Sequence, residues 1–299
     1  MKRILLLLAL AVATFAAQAQ NEFVFGRIKK AELRDGAALG VENADAVVLD
    51  ERVRIMPSLL DVRSFMADGQ ACPLIVREEV ARRVKILSAE GAEYGKVEIA
   101  LKNIADDERE NCEPHSIWAN CYTLKGGRIV KRALDVSTIK RYKRADGSTF
   151  LAFEIPEVQQ GSVIEYGYTK AVVTTSTDYK YVMSEDVEKL KSRCEVAINE
   201  QYAHLFDVAA LNNAVSVEKL GEKSLSSLVY GSSAPQAGRM LSGMAMDDAN
   251  SPALANALHS RTTADTERFT LYIFGAEHLP VAAMAEDAAA VSITVKGGN

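Results

Sequence analysis

The residues best equipped for chemistry are four cysteines and four histidines. Cys112-Glu113-Pro114-His115 has the Cys-x-x-His spacing that can bring a thiolate and an imidazole to one metal ion, and Cys121 and Cys72 could complete a tetrahedron. The same residues have plainer readings. Cys112 and Cys121 could close a short disulfide loop, which on the chain-entropy model stabilises by about 2 to 3 kcal/mol. A buried free thiol simply packs as a small apolar side chain. One Cys-x-x-His without a second paired half is a weak metal signal. The expectation is therefore a Cys112–Cys121 disulfide, with a thiol- or metal-dependent enzyme built on Cys112, His115 and Cys121 as the alternative.

Other templates are missing from the sequence. It contains no Gly-x-Ser-x-Gly elbow, no His-Glu-x-x-His, no Gly-x-Gly-x-x-Gly and no phosphate loop ending in Lys-Ser/Thr. His115, His204, His259 and His278 sit in no recognisable constellation, so no catalytic residue and no cofactor is assigned. The acidic run Asp106, Asp107, Glu108, Glu110 and Glu113 lacks the alternating ligands and the glycine of a calcium loop, and reads as a solvated loop. The basic run Lys140, Arg141, Tyr142, Lys143, Arg144 mixes cations with an aromatic, which could suit a polyanion. Charge on both faces fits better with an exposed hairpin arm or a lysine-guarded edge strand. Trp118 with Tyr122, Tyr166 with Tyr168, and Tyr179 with Tyr181 each share a strand face by period-two spacing. They form either a sugar- or peptide-binding platform or part of the core.

The elements that must position these residues read as strands. Alternating apolar sets recur at Val97, Ile99, Leu101; Leu151, Phe153, Ile155; Ile164, Tyr166, Tyr168; Phe269, Leu271, Ile273; and Val291, Ile293, Val295. Gly126-Gly127 and Asp146-Gly147 between such runs are hairpin signals, because both pairs tolerate the positive φ of tight turns. Short turns between successive strands predict antiparallel sheet. Helical signals are few: Ser251-Pro252 before Ala253 to His259, and more weakly Ser184 before Glu185 to Leu190. The spacing predicts a mainly β protein, an antiparallel β-sandwich or sandwiches with a few short helices. Its main block spans 20–230, a Gly/Ser/Ala/Met-rich loop or linker 231–250, and a smaller part completing the β domain 251–299.

Composition limits the partners. Of 299 residues, 48% are hydrophobic and 25% charged, with 35 Lys+Arg against 40 Asp+Glu, a formal charge of -5. No global positive field would attract nucleic acid. Residues 1–19 read as a signal peptide: Lys2 and Arg3, an apolar stretch from Ile4 to Ala17, and the small-x-small site Ala17-Gln18-Ala19. The expectation is cleavage near Ala19 and a periplasmic or secreted mature chain without a transmembrane segment, in a compartment where disulfides persist.

Three segments carry a family resemblance: VARRVKILSAEGAEYGKVEI from Val80, YTLKGGRIVKRAL from Tyr122, and FEIPEVQQGSVIEYGYT from Phe153. With Pro156, Val158, Gly161, Ser162, Val163, Ile164, Glu165 and Tyr166 forming its most specific signature, the chain resembles domain-of-unknown-function family 3857 over about residues 43 to 295. That β-rich domain usually precedes a transglutaminase-like domain in secreted bacterial proteins. The resemblance implies no catalytic residue here, and the cysteine, histidine and aspartate of the transglutaminase-like part have no counterpart in this sequence. Residues 179 to 206 lack the prolines usual in the family, which leaves strand boundaries open there. The expected role is a non-catalytic binding or scaffolding module of the cell envelope, whose partner is an envelope protein, a peptide or a glycan. Within the signature, Glu165 is the charged residue facing away from the apolar set, and is expected to be exposed, paired or hydrogen-bonded.

Overall fold

The computed structural model describes residues 26–34, 39, 41, 44–59, 74–101, 108–111, 116–174, 176–211, 216–223, 269–281 and 288–296, with the backbone alone at 108–111, 173 and 216–223. The leader, Cys72, Cys112, His115, the 231–250 segment and the helix expected after Pro252 lie outside them.

Among the described residues, fifteen strands follow one another. β1 (Ala46–Leu59) and β2 (Leu74–Ile86) form a long antiparallel pair. After a 3-10 turn at Glu90–Gly95 come β3 (Lys96–Leu101), β4 (Glu108–Asn111), β5 (Trp118–Lys125) and β6 (Arg128–Ala133). Then follow β7 (Lys140–Lys143), β8 (Thr149–Glu154), β9 (Val163–Thr174), β10 (Asp178–Val182) and β11 (Lys189–Asn199). The last are β12 (Phe206–Leu211), β13 (Ser216–Lys223), β14 (Phe269–Leu279) and β15 (Ala290–Val295). Nine strands make one large sheet in the order β13-β14-β11-β1-β2-β9-β5-β6, with β4 also on β9. Two three-stranded sheets, β3-β8-β7 and β10-β15-β12, complete the molecule.

Both small sheets cover the same face of the large one. Along β2 the even-numbered residues point to that face: Leu74, Val76 and Val80 join Val291, Ile293, Val295 and Phe206 in one apolar cluster. Val84 and Ile86 join Ile99, Leu101, Leu151 and Phe153 in a second. The fold is therefore mainly β, a sandwich whose second layer is split in two, and the described helices are short 3-10 turns. The alternating sets read from the sequence lie in β3, β8, β9, β14 and β15. Both expected hairpin turns are present, with Gly126, Gly127 and Gly147 at φ of 58°, 74° and 89°.

Three features depart from the sequence expectation. Glu108 and Glu110 of the acidic run, expected in a solvated loop, lie in β4, because the backbone there pairs with the end of β9; Asp106, Asp107 and Glu113 are outside the described residues. The segment after Ser184 is not helical: residues 184–188 are irregular and β11 begins at Lys189, because cross-strand pairing to β1 and β14 outweighs a weak capping signal. The sheet is also not purely antiparallel, since β1 and β11 run parallel from Val48↔Lys189 to Ile55↔Val196. The long stretch of chain between them permits that crossover. Their pairing stops two residues before Pro57, which has no N–H to donate.

Candidate functional site

Between the two apolar clusters, where the second layer is divided, polar residues occupy the inner face. The bulge in β1 puts them there. Ala46 and Val48 face inward, the register shifts between Val48 and Asp50, and from then on Glu51, Val53 and Ile55 face inward. Without that extra residue, Glu51 would point to the opposite face.

Glu51 is opposite Arg82 of β2 and Ser192 of β11. Its carboxylate accepts from Lys189 Nζ at 2.8 and 2.9 Å, from Ser192 Oγ at 2.9 Å and from the Arg82 guanidinium. Arg82 also donates to Glu185 at 2.6 Å and to the Tyr166 hydroxyl at 3.1 Å. Two acids and two bases thus form a neutral group, in which the side chains of Glu51 and Lys189 are fully buried. Burial alone would raise the Glu51 pKa, but the charges of Arg82 and Lys189 and the hydrogen bonds outweigh it and hold the carboxyl at about 2. Burial likewise works against the Arg82 charge, and Glu51, Tyr166 and Glu185 more than offset it. Beside this group, Tyr179 donates to Glu78, which also lies 3.6 Å from Lys170 Nζ.

The outer face carries a second charged set. Arg54 meets Glu195 at 2.7 Å, and Arg77 meets Glu79 at 2.7 Å. Arg83 holds Glu165 at 2.5 Å and Glu32 at 3.0 Å. Glu165 is thus buried and paired, and it accepts from the Gly26 N–H at 2.9 Å, which ties residues 26–34 across the sheet. Desolvation raises the Glu165 pKa against the pull of Arg83.

The residues singled out from the sequence do not converge. Tyr122 and Tyr166 are buried, so neither offers a ring face to solvent, contrary to a platform made of all six aromatics. Tyr122 packs with Leu33 and Val163, and Tyr166 lies edge-on to Phe153. Tyr168, Tyr179 and Tyr181 pack half-buried against the first apolar cluster, and Trp118 lies over Gly167 on the other face. Burial raises the phenol pKa of Tyr166, Tyr168 and Tyr181. Cys121 is a buried free thiol whose Sγ donates to the Glu157 carbonyl at 3.5 Å, and Cys194 is a buried free thiol in the other cluster. As a free thiol, Cys121 does not form the expected disulfide with Cys112; its Sγ is turned into the core against the Glu157 carbonyl, while Cys112 and His115 of the Cys-x-x-His spacing fall outside the described residues. Among the described residues, no three His, Cys, Asp or Glu side chains are grouped to hold a metal, and no helix is long and apolar enough to cross a membrane.

Glu51, Arg82, Lys189, Ser192 and Glu185 were not singled out by motif. Their signal was a broken alternation: Arg82 is charged where Val80, Val84 and Ile86 are apolar on the same face, and Glu51 does the same beside Val53 and Ile55.

No family model matches the chain, and no curated protein matches it. Among solved structures, a candidate protease from Parabacteroides distasonis shows 10% identity over 84% of this chain and 40% of its own, with a TM-score of 0.47. An M1 zinc metallopeptidase from Deinococcus radiodurans shows 6% identity over 84% and 42%, with a TM-score of 0.34. A candidate nutrient-binding protein from Legionella pneumophila shows 9% over 84% and 67%, at 0.27. The chain spans about two fifths of the length of the first two, and likenesses this faint transfer no activity.

Proposed function

We propose that the protein is an exported, non-catalytic β-sandwich module that binds or scaffolds a partner at the bacterial cell envelope. The observation that carries this reading is the closure of the polar cluster: Glu51, Arg82, Lys189, Ser192 and Glu185 bond one another, and the Glu51 and Lys189 side chains are fully buried, out of reach of any ligand. The Glu51 carboxyl is held at about 2 and Arg82 stays charged, while burial raises the Tyr166 phenol, so these groups exchange no proton near neutral pH. A general acid or base needs a pKa near the working pH. A neutral group whose charges bond one another between three strands instead fixes their register. The resemblance to domain-of-unknown-function family 3857 and the leader-like residues 1–19 support the same reading.

Two measurements test it in the source cells. Fractionation is expected to place the protein in the envelope or the medium, with an intact mass that starts near Gln20. Peptidase and acyl-transfer assays on the purified mature protein are expected to be blank. Turnover that disappears on changing one cysteine or histidine would overturn the reading.

A further inference from the structure

One end of this acidic protein is strongly basic. Residues 125–144 contain eight cations, Lys125, Arg128, Lys131, Arg132, Lys140, Arg141, Lys143 and Arg144, against the single acid Asp135. The rest of the chain holds 27 cations and 39 acids, so the asymmetry is local.

The fold places these cations on two open edges. β6 ends the order of the nine-stranded sheet, and β7 ends that of the β3-β8-β7 sheet. Only residues 134–139 connect them, and Leu134 and Ile139 pack into the cluster between the two sheets, so the two edges lie on the same flank of the sandwich. Some of the charge is already satisfied. Glu157, at φ 54°, takes Arg132 at 2.8 Å and Lys125 at 3.3 Å, while Glu98 takes Arg144 at 2.6 Å. Arg144 also lies 4.1 Å above the Phe150 ring, which stacks on Tyr142. These contacts stiffen the flank. Arg128, Lys131, Lys140 and Lys143 form no ion pair with a described residue, and all four are exposed.

We propose that this flank docks an acidic, extended peptide segment of a partner protein, added as a further strand beside β6 with its carboxylates against Arg128 and Lys131. The proposal rests on the binding role above and gives that role a surface. Charge alone would suit any polyanion, but the strand geometry favours a peptide. A terminal strand presents a row of backbone N–H and C=O groups that only another backbone can pair in full. β6 is exposed along both faces, except for half-buried Val130, so an incoming strand has room on either side. Ile129, exposed, and Val130 lie between the cations and offer apolar contact to alternate side chains of the guest. A second copy of this chain, equally basic here, is repelled.

The test titrates the purified mature protein with a ten-residue peptide in which glutamate pairs alternate with threonine or valine pairs, so that carboxylates reach both faces of β6, where Arg128 and Lys131 lie. Controls are the same peptide N-methylated at alternate amides, inorganic polyphosphate, and vesicles containing phosphatidylglycerol. Binding of the plain peptide is expected to weaken about tenfold on N-methylation, and about tenfold for the double variant Arg128→Glu/Lys131→Glu. It should be unchanged for Lys180→Glu on exposed β10, with the urea midpoint of each variant confirming an intact fold. Equal binding of the N-methylated peptide, or binding of polyphosphate or vesicles without the plain peptide, would overturn the proposal. A cellular partner captured through another face would also overturn it while leaving the binding role standing. Catalytic turnover would instead remove the role itself.

Discussion

Removing Glu51 alone should cost the protein far more than removing Glu51 and Lys189 together. In Glu51→Leu, the fully buried Lys189 ammonium keeps only Glu185, 3.5 Å away, and Arg82 keeps the Tyr166 hydroxyl and the same Glu185, whose side chain is 32% exposed. Leaving a buried charge without its partner costs about 3 to 5 kcal/mol. In Lys189→Met, Glu51 retains Arg82 and Ser192, so the loss is smaller, about 1 to 3 kcal/mol. The double variant keeps the Arg82–Glu185 pair and fills the vacated space with apolar side chains, for a net cost of about 0 to 2 kcal/mol. The two changes should therefore couple by at least about 2 kcal/mol. Urea unfolding of the four proteins, followed by far-UV circular dichroism, measures this cycle, and unchanged slopes would show that the unfolded states are comparable. Single losses below about 1 kcal/mol, or a double variant additive within about 0.5 kcal/mol, would refute the account of the cluster as a mutually neutralising group.

Acid should act through the same carboxylate. The Glu51 pKa is depressed in the folded state to about 2 from its ordinary 4.5, so its stabilisation is fully present above pH 4.5 and disappears as pH falls towards 2. By linkage this is about 3 kcal/mol, and Glu51→Gln should lack that part of the decline in urea midpoints between pH 5 and 2.5. Glu165 and Asp50, whose pKa values are raised by burial, contribute with the opposite sign in both proteins and cancel in the comparison. Gly167→Ala should destabilise by about 1 to 3 kcal/mol, read from the thermal midpoint, since its Cβ would come 2.5 Å from the Val80 carbonyl oxygen and collide with the Trp118 indole. In a variant retaining Cys194 as its one cysteine, burial raises the thiol pKa far above its ordinary value. Iodoacetamide labelling, followed by mass, should thus appear only across the urea transition, and fast labelling of the folded protein would contradict this.

What the sequence shows well is whatever repeats with period two or demands a special backbone. Leu151, Phe153 and Ile155 alternate because one face of β8 meets the core, and Gly126-Gly127 and Asp146-Gly147 mark hairpins because their conformations suit few other residues. Lys140 to Arg144 read as an edge for a similar reason: charge on both faces fits no buried strand, and β7 is indeed the end of its sheet. The buried cluster was less visible. Glu51 looks like one more charged residue in a charged stretch until the β1 bulge turns it inward, and its partner Lys189 comes from a strand 138 residues away. Neither the bulge nor a parallel crossover leaves a local signature. The aromatic pairs were ambiguous from the start, since a ring on an apolar strand face looks the same whether the second layer covers it, as it covers Tyr166, or leaves it open.

The central claim is that the chain works by holding a partner, and a photo-reactive residue can test this directly in living cells. Benzoylphenylalanine placed at Ile129, on the exposed β6 edge, should on irradiation yield one dominant adduct of defined mass, with a polypeptide whose cross-linked segment is acidic and extended. The same probe at Leu211, exposed on β12, should give none. The claim is contradicted if neither position captures a macromolecule while the purified protein turns over a substrate.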